Sequence, residues 1–234
     1  MFDSTQKPSV QSLLQSSTLL NALTPAEMET LATASRAVRV DRGEIIWMTG
    51  EEVDYFGLAG TGFVKMVRGN ADGTDVAVEL MGPGQIFGMM GTITQTGCPL
   101  TAVAVTDMWY VRIPKRPFLD IYEKNDRMKD RLVRRMTVRL HGAMDLMARM
   151  SSGRVDERIA AILFILSDSF GERHGKKLTL QVPLTRQEIS EMAGTTVESC
   201  IRVMSRWQKE GIVSTDKHIV TILDEDRLGQ VLSK

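Results

Sequence analysis

Residues 184–213, LTRQEISEMAGTTVESCIRVMSRWQKEGIV, constrain the fold more tightly than any other part of the chain. Thr185 suits a helix N-cap, and Glu188 stands three residues on, the spacing at which each side chain satisfies an orphan amide of the other. A helix therefore starts near Arg186, with Ile189, Met192 and Ala193 at three- and four-residue spacing and small Ser190 where a second helix must cross. Gly194 ends it, because glycine takes the positive φ of a tight interhelical turn. Thr195 or Thr196 caps the next helix, which buries Val197, Cys200, Val203, Met204 and Trp207 and leaves Glu198, Ser199, Arg202 and Arg206 outside. The β-rich runs Ile212, Val213 and Ile219, Val220, Ile222 then flank the turn Thr215-Asp216-Lys217-His218 as a wing. Two helices joined at a glycine and followed by such a wing present a helix to DNA.

The outward residues suit base edges in the major groove. Arginine donates two bonds to guanine, and glutamate accepts from the cytosine amino group. Glu198 and Arg202 lie four apart and share a face, so the plainer alternative is a surface ion pair. The segment resembles the winged helix-turn-helix of the cyclic-AMP receptor protein and fumarate-nitrate reductase regulator (CRP/FNR) family, through TRQEI, Gly194 and the Glu198, Arg202 pair. The resemblance implies that Glu198 and Arg202 read a G·C-containing core in each half-site. It gives Arg186, Thr195, Thr196, Glu198, Ser199 and Arg202 as the DNA-binding set, with Arg186 at phosphate. Val197 matches the fumarate-nitrate branch, whereas Ile201 replaces the serine that branch uses on a base. Lys209, Lys217 and Arg206 flank the surface as candidate phosphate contacts or as solvated charges.

At 234 residues and 43% hydrophobic content, the chain has room for more than one packed domain. No run approaches a membrane span, and MFDSTQKPSV lacks the basic-then-apolar order of a signal peptide, so a cytoplasmic protein without membrane contact is expected. The net charge of zero neither suggests nor excludes nucleic acid. Cys98 and Cys200 fall in different expected domains, against a disulfide framework, and Cys200 reads as a small core residue. Walker loop, nucleophile elbow, HExxH and paired Cys/His spacing are all missing from the sequence, so neither a catalytic nor a metal site is expected.

The N-terminal part carries a different period. A helical lead with Leu13, Leu14, Leu19 and Leu20, and a capped helix at Thr24-Pro25-Ala26-Glu27, give way to short apolar runs at 44–47, 63–67, 76–80 and 102–105. Glycines, Gly73 among them, punctuate these runs, the pattern of a β-roll or barrel. RGEIIWMTGEEVDYFGLAGTGFVKM resembles the cyclic-nucleotide-binding β-roll that senses signals in the same family. The fold implied is α+β: helical lead and β-roll over 1–118, dimerisation helix and hinge over 119–151, and winged helix-turn-helix over 152–234.

The signal itself differs from the family's usual one. In QIFGMMGTITQTGCPLTAVAV, Met89 stands where the family's nucleotide cassette has a glutamate, and Pro99 or a neighbour where it has an arginine. A buried phosphodiester without a cation meets a large desolvation penalty, so cyclic AMP in the usual mode is rejected. An iron-sulfur cluster needs about four thiolates, which two cysteines cannot supply. The effector is therefore unassigned, with an apolar pocket expected around Gly88, Met89, Met90, Pro99, Leu100 and Thr101. Haem remains open through Met66, Met81, Met89 and Met90, yet the roll has no histidine, since His141 follows it and His174 and His218 belong to the C-terminal domain. Thiol chemistry at Cys98 also remains, because Gly97 and Pro99 suggest an exposed turn. Small apolar ligand, or none, is the default, and the alternatives are a haem-based gas or redox sensor and a ligand-binding roll acting through protein contacts.

Between the domains, residues 126–150 read as one long helix. Met128, Leu132, Met136, Leu140, Ala143, Met147 and Met150 form a narrow apolar stripe with Arg131, Arg134, Arg135 and Arg139 elsewhere on the surface. The stripe alone does not name its partner, which could be the roll. The family resemblance makes it a homodimer seam through Leu132, Met136, Leu140, Ala143 and Met147, and hence implies a pseudo-palindromic double-stranded DNA site, with RNA polymerase as a further partner. Ser151-Ser152-Gly153 reads as the hinge, and a following helix over 155–170 packs Ile159, Ile162, Leu163 and Leu166.

Overall fold

The computed structural model describes residues 7–70, 75–94 and 96–232. Gly73 and the side chains of Met150, Ser151 and Ser152 lie outside the described residues. The fold is α+β: helices lead into a β-roll, a long helix follows, and a helix-turn-helix with its own small sheet ends the chain. Two compact units result, Met1–Gly69 with Val78–Arg139 and Asn70–Ala77 with Leu140–Lys234, so the long helix is shared between them.

In the first unit, α1 (Val10–Ser16) and α2 (Pro25–Ala34) form the lead. Thr24 and Glu27 cap α2 reciprocally, with Pro25 at a first-turn position where its missing amide is harmless. The roll consists of two four-stranded sheets. One has the order β1 (Arg36–Val40), β8 (Met108–Pro114), β3 (Tyr55–Thr61), β6 (Ile86–Phe87). The other runs β2 (Ile45–Trp47), β7 (Thr101–Ala104), β4 (Val64–Gly69), β5 (Asp75–Met81).

Strand β3 explains why two cores exist. All seven of its residues are buried, because successive side chains point to opposite faces and both faces are covered. Phe56 and Leu58 join a cluster with Leu13, Leu14, Leu31, Val111 and Ile113 beneath the helices, while Tyr55 and Ala59 join Trp47, Met66, Phe87 and Tyr110 inside the roll. Gly57 lies in contact with the Phe87 ring, where a Cβ would fall 2.1 Å from Cζ.

Helices α3 (Met89–Ile93), within the cassette-like segment, and α4 (Lys115–Tyr122), after the roll, complete this unit up to α5 (Asp126–Ser152). Here the structure corrects the expected seam. Met128 and Leu132 are buried in the protomer's own helix-side core, so Leu132 is not available to a second chain. The stripe that stays exposed is Val133, Met136, Leu140, Met144 and Met147. At about 100° per residue these lie roughly 100° around the helix from the core-facing Met128 and Leu132. Ala143 borders the stripe and is exposed. Arg139, expected on the open surface, pairs with Glu79 of β5, and Arg135 is partly buried beside them. Burial holds the Glu79 carboxyl above its usual range, opposed by Arg139 and Arg135.

In the second unit, α6 (Val155–Phe170) buries Ile159, Ile162, Leu163 and Leu166. The helix break falls at Gly153 and Arg154, since α5 continues through Ser152. A hairpin that the sequence reading missed follows, β9 (Gly171–His174) and β10 (Lys177–Leu180), turning at Gly175 with φ 64°. It joins β11 (Val213–Asp216) and β12 (Ile219–Ile222) in one sheet of order β11, β12, β10, β9. Helices α7 (Arg186–Met192) and α8 (Val197–Lys209) pack on each other ahead of the wing, and α9 (Glu225–Val231) closes the chain.

Candidate nucleic-acid interface

The start of α7 is built by a reciprocal cap. The Thr185 amide and hydroxyl donate to Glu188 Oε2 at 2.6 and 2.8 Å, and the Glu188 amide donates to Thr185 Oγ1 at 3.2 Å. An N-cap of this kind contributes about 1 kcal/mol. Gly194, at φ 55°, makes the turn, and the Thr195 amide donates to the Ser190 carbonyl at 3.0 Å. Of the two threonines, Thr196 is the cap of α8, its Oγ1 accepting from the Ser199 amide at 3.2 Å. Thr195 sits half-buried in the turn. Ser190 is buried, as the close approach of the two helices requires.

Helix α8 divides cleanly by face. Cys200, Val203, Met204 and Trp207 are buried, the three- and four-residue spacing of a core stripe. Val197, expected with them, is half-buried at the first helical position. Burial pushes the Cys200 thiol up to about 11, with Arg186 opposing the shift. Glu198, Ile201, Arg202, Ser205 and Arg206 are exposed. No ion pair joins Glu198 to Arg202 among the described residues. The Arg202 guanidinium instead makes a 3.5 Å contact with Ser199 Oγ, at the outer limit of a hydrogen bond. Both side chains thus face solvent without a charged partner in each other.

Two arginines are more constrained than the sequence suggested. Arg206 Nη2 lies 3.2 Å from Asp156 Oδ2 of α6, and that carboxylate also meets Arg154 at 3.4 Å. Arg186 is half-buried rather than solvated and donates to Thr215 Oγ1 of β11 at 2.9 Å. Burial holds its guanidinium below the usual range, with the Cys200 thiol partly offsetting it. Arg186 therefore ties the first helix to the wing, and the Leu184 amide does the same by donating to the His218 carbonyl at 2.8 Å. The wing tip is a two-residue hairpin turn with Lys217 at φ 44° and His218 at φ 68°. Positive φ at both central residues matches the strand twist, although without glycine it carries backbone strain of about 1 to 2 kcal/mol per residue.

The six expected effector-pocket residues do not converge. Gly88 adopts φ 78° against the edge of the Trp47 ring, where a Cβ would fall 2.6 Å from Cζ2. Met89 points into the helix-side core, Met90 is 61% exposed and Pro99 is exposed. Leu100 packs on the roll interior, and its carbonyl accepts from Trp47 Nε1 at 3.1 Å. Thr101 Oγ1 accepts from the Thr49 amide at 3.0 Å. The roll interior at this point is aromatic: Trp47 stacks on Phe87 at 5.2 Å and meets Tyr55 edge-on at 5.7 Å. Met66 and Met81 share that interior, but Met89 and Met90 do not, so the four methionines do not form one pocket. Cys98, expected in an exposed turn, is 4% exposed. Its amide and carbonyl bond Glu51 and Gly50, and burial pushes its thiol up. Among the described residues, no helix is long and apolar enough to cross a membrane, and no cluster of three His, Cys, Asp or Glu could hold a metal ion.

Residues 37–125 match the cyclic nucleotide-binding domain model and residues 157–231 the Crp-like helix-turn-helix domain model. The chain is 24% identical to the fumarate and nitrate reduction regulatory protein of Escherichia coli, over 82% of this chain and 76% of that one. It is 26% identical to the transcriptional activator protein anr of Pseudomonas aeruginosa, over 88% and 85% respectively. Its fold resembles that of FixK2 from Bradyrhizobium japonicum, with a TM-score of 0.74 at 19% identity, covering 84% of this chain and 96% of that one. A nucleotide-binding-type roll, a long helix and a DNA-binding helix-turn-helix in this order, with such relatives, place the chain in the CRP/FNR family of transcription regulators.

Proposed function

We propose that the chain works as a homodimer that reads a pseudo-palindromic DNA site through Glu198 and Arg202, under the control of an input to the roll other than cyclic AMP. The observation that carries the reading is the outward Glu198, Arg202 pair on a helix whose other face is fully occupied by core. Arg202 donates to guanine O6 and N7 while Glu198 accepts from a cytosine amino group. Ser199 and Thr195 border the pair, and Thr196 and Arg186 hold the helix and wing in place rather than reading bases. Lys209 and Lys217 supply exposed positive charge for phosphates.

The dimer reading rests on the exposed stripe of Val133, Met136, Leu140, Met144 and Met147. Its three- and four-residue spacings fit a two-helix seam, and a two-fold dimer offers one recognition helix to each half of a pseudo-palindromic site. The input favoured is a small apolar ligand or a packing change within the roll, because Cys98 is buried and the methionines do not converge. The family resemblance supports RNA polymerase as a partner and the cytoplasm as location. A switch of this kind requires the effector to bind the DNA-competent dimer more tightly than the incompetent one.

The test is base-specific. Against a site selected from random duplexes, Arg202→Ala weakens binding by about 1 to 3 kcal/mol and relaxes preference at one base pair. A uniform loss across all sequences would reduce Arg202 to a phosphate contact. For the seam, Leu140→Asp yields a folded monomer in sedimentation, since Leu140 is 57% exposed in the single chain. A persistent dimer would move the interface elsewhere.

A further inference from the structure

One residue on the DNA-facing side of α8 has no hydrogen-bonding chemistry. Ile201 is 46% exposed, whereas the other apolar residues of the helix are buried or, for Val197, half-buried. At about 100° per residue, Glu198, Ile201, Arg202 and Ser205 fall within an arc of roughly 100°. Ile201 therefore stands beside the proposed base readers on the same face. A single exposed apolar side chain is ordinary on a protein surface and says nothing alone. Its position on a face that enters the major groove is what gives it meaning.

The groove's own chemistry then narrows the partner. Most of what base edges present there is donor or acceptor, and covering such a group with an isoleucine would remove its water without replacing the bond. The apolar feature of the groove is the 5-methyl group of thymine. A β-branched side chain in a helix is also held near one χ1 rotamer, so little side-chain freedom is lost on contact. Resting on the base-reading function proposed above, we propose that Ile201 packs on a thymine methyl and so specifies an A·T pair in each half-site, neighbouring the pairs read by Glu198 and Arg202.

The experiment uses full-length protein and the site it selects from random duplex DNA. Each thymine is replaced in turn by 2′-deoxyuridine, which removes the methyl and leaves pairing intact, and Kd is measured at fixed salt. At one position per half-site, wild type loses affinity about fourfold, or roughly fifteenfold with both half-sites substituted, the value of one buried methyl-sized group. Ile201→Ala and Ile201→Ser bind the thymine and uracil duplexes equally at that position. The proposal is overturned if no uracil substitution weakens wild type, or if both variants keep the wild-type thymine-to-uracil ratio. If Arg202→Ala still relaxes one base pair in that case, only the methyl contact falls; if no sequence is enriched at all, the base-reading function falls with it.

Discussion

Two helices in this chain follow a glycine at positive φ, and their chemistry points in opposite directions. Helix α3 starts directly on Gly88, has no side-chain cap and buries Met89, Gly91 and Thr92. Helix α8 starts two residues beyond Gly194 on a threonine cap and carries Glu198, Arg202 and Ile201 outward. In the roll the glycine serves packing, because its bare Cα admits the edge of Trp47. In the helix-turn-helix it serves a turn that aims a surface. Polar side chains thus lie outward where the helix faces solvent, and apolar packing prevails where it faces the roll.

Trp47 anchors the apolar side of this contrast. Its ring is 1% exposed, stacked on Phe87, edge-on to Tyr55 and hydrogen-bonded to the Leu100 carbonyl. Trp47→Ala should destabilise the protein by about 3 to 5 kcal/mol in urea unfolding, the usual range for an aromatic removed from a packed core. A loss below about 1 kcal/mol would mean that the roll interior yields easily, and that it can open for a ligand of aromatic size.

Local signals carried most of what was legible from sequence. The Thr24, Glu27 and Thr185, Glu188 boxes, the Gly194 turn and the wing each depend on residues within a few positions of one another. What the sequence misassigned depended on distant partners. The α5 stripe reads as one seam, but its first part is claimed by the roll's helix-side core, which moves the open face from Leu132 to Val133 and Met144. Periodicity reports that a face is apolar without naming what covers it. Cys98 misled for the same reason: Gly97 and Pro99 announce a turn, and Pro99 is exposed, yet with its backbone bonded to Gly50 and Glu51 the Cys98 side chain packs into the roll interior. The β9, β10 hairpin was hidden because GERH carries no apolar residue, which leaves the short alternation of Leu178 and Leu180 in KLTL without a partner strand to mark a pair.

A smaller effect sharpens the contrast at the helix starts. Thr196→Ala removes the cap of α8 and should lower stability by about 1 kcal/mol while weakening DNA binding, because the recognition helix frays at the end nearest Glu198. Thermal unfolding and a binding titration on the same samples check both. Thr196→Asp should restore stability, since aspartate caps as well as threonine. Stability unchanged by the alanine would show that packing through Cys200 and Trp207 alone fixes the helix start.

The smallest effect lies at alkaline pH and compares the closed side of α8 with the roll interior. In an unfolded chain the Cys200 thiol ionises near 9.0, whereas burial pushes it up to about 11 in the folded protein. Between those values the folded state keeps a proton that the unfolded state releases, so stability falls as pH rises and is unaffected well below 9. Cys98 shifts in the same direction and contributes to both wild type and a Cys200→Ala variant, so the difference between them isolates Cys200. Denaturation under reducing conditions at pH 8 and pH ~10.5 should show a shallower loss for the variant across that window. Parallel losses would mean that water reaches the Cys200 thiol, and that the buried face behind Glu198 and Arg202 is less tightly closed than the aromatic interior around Trp47.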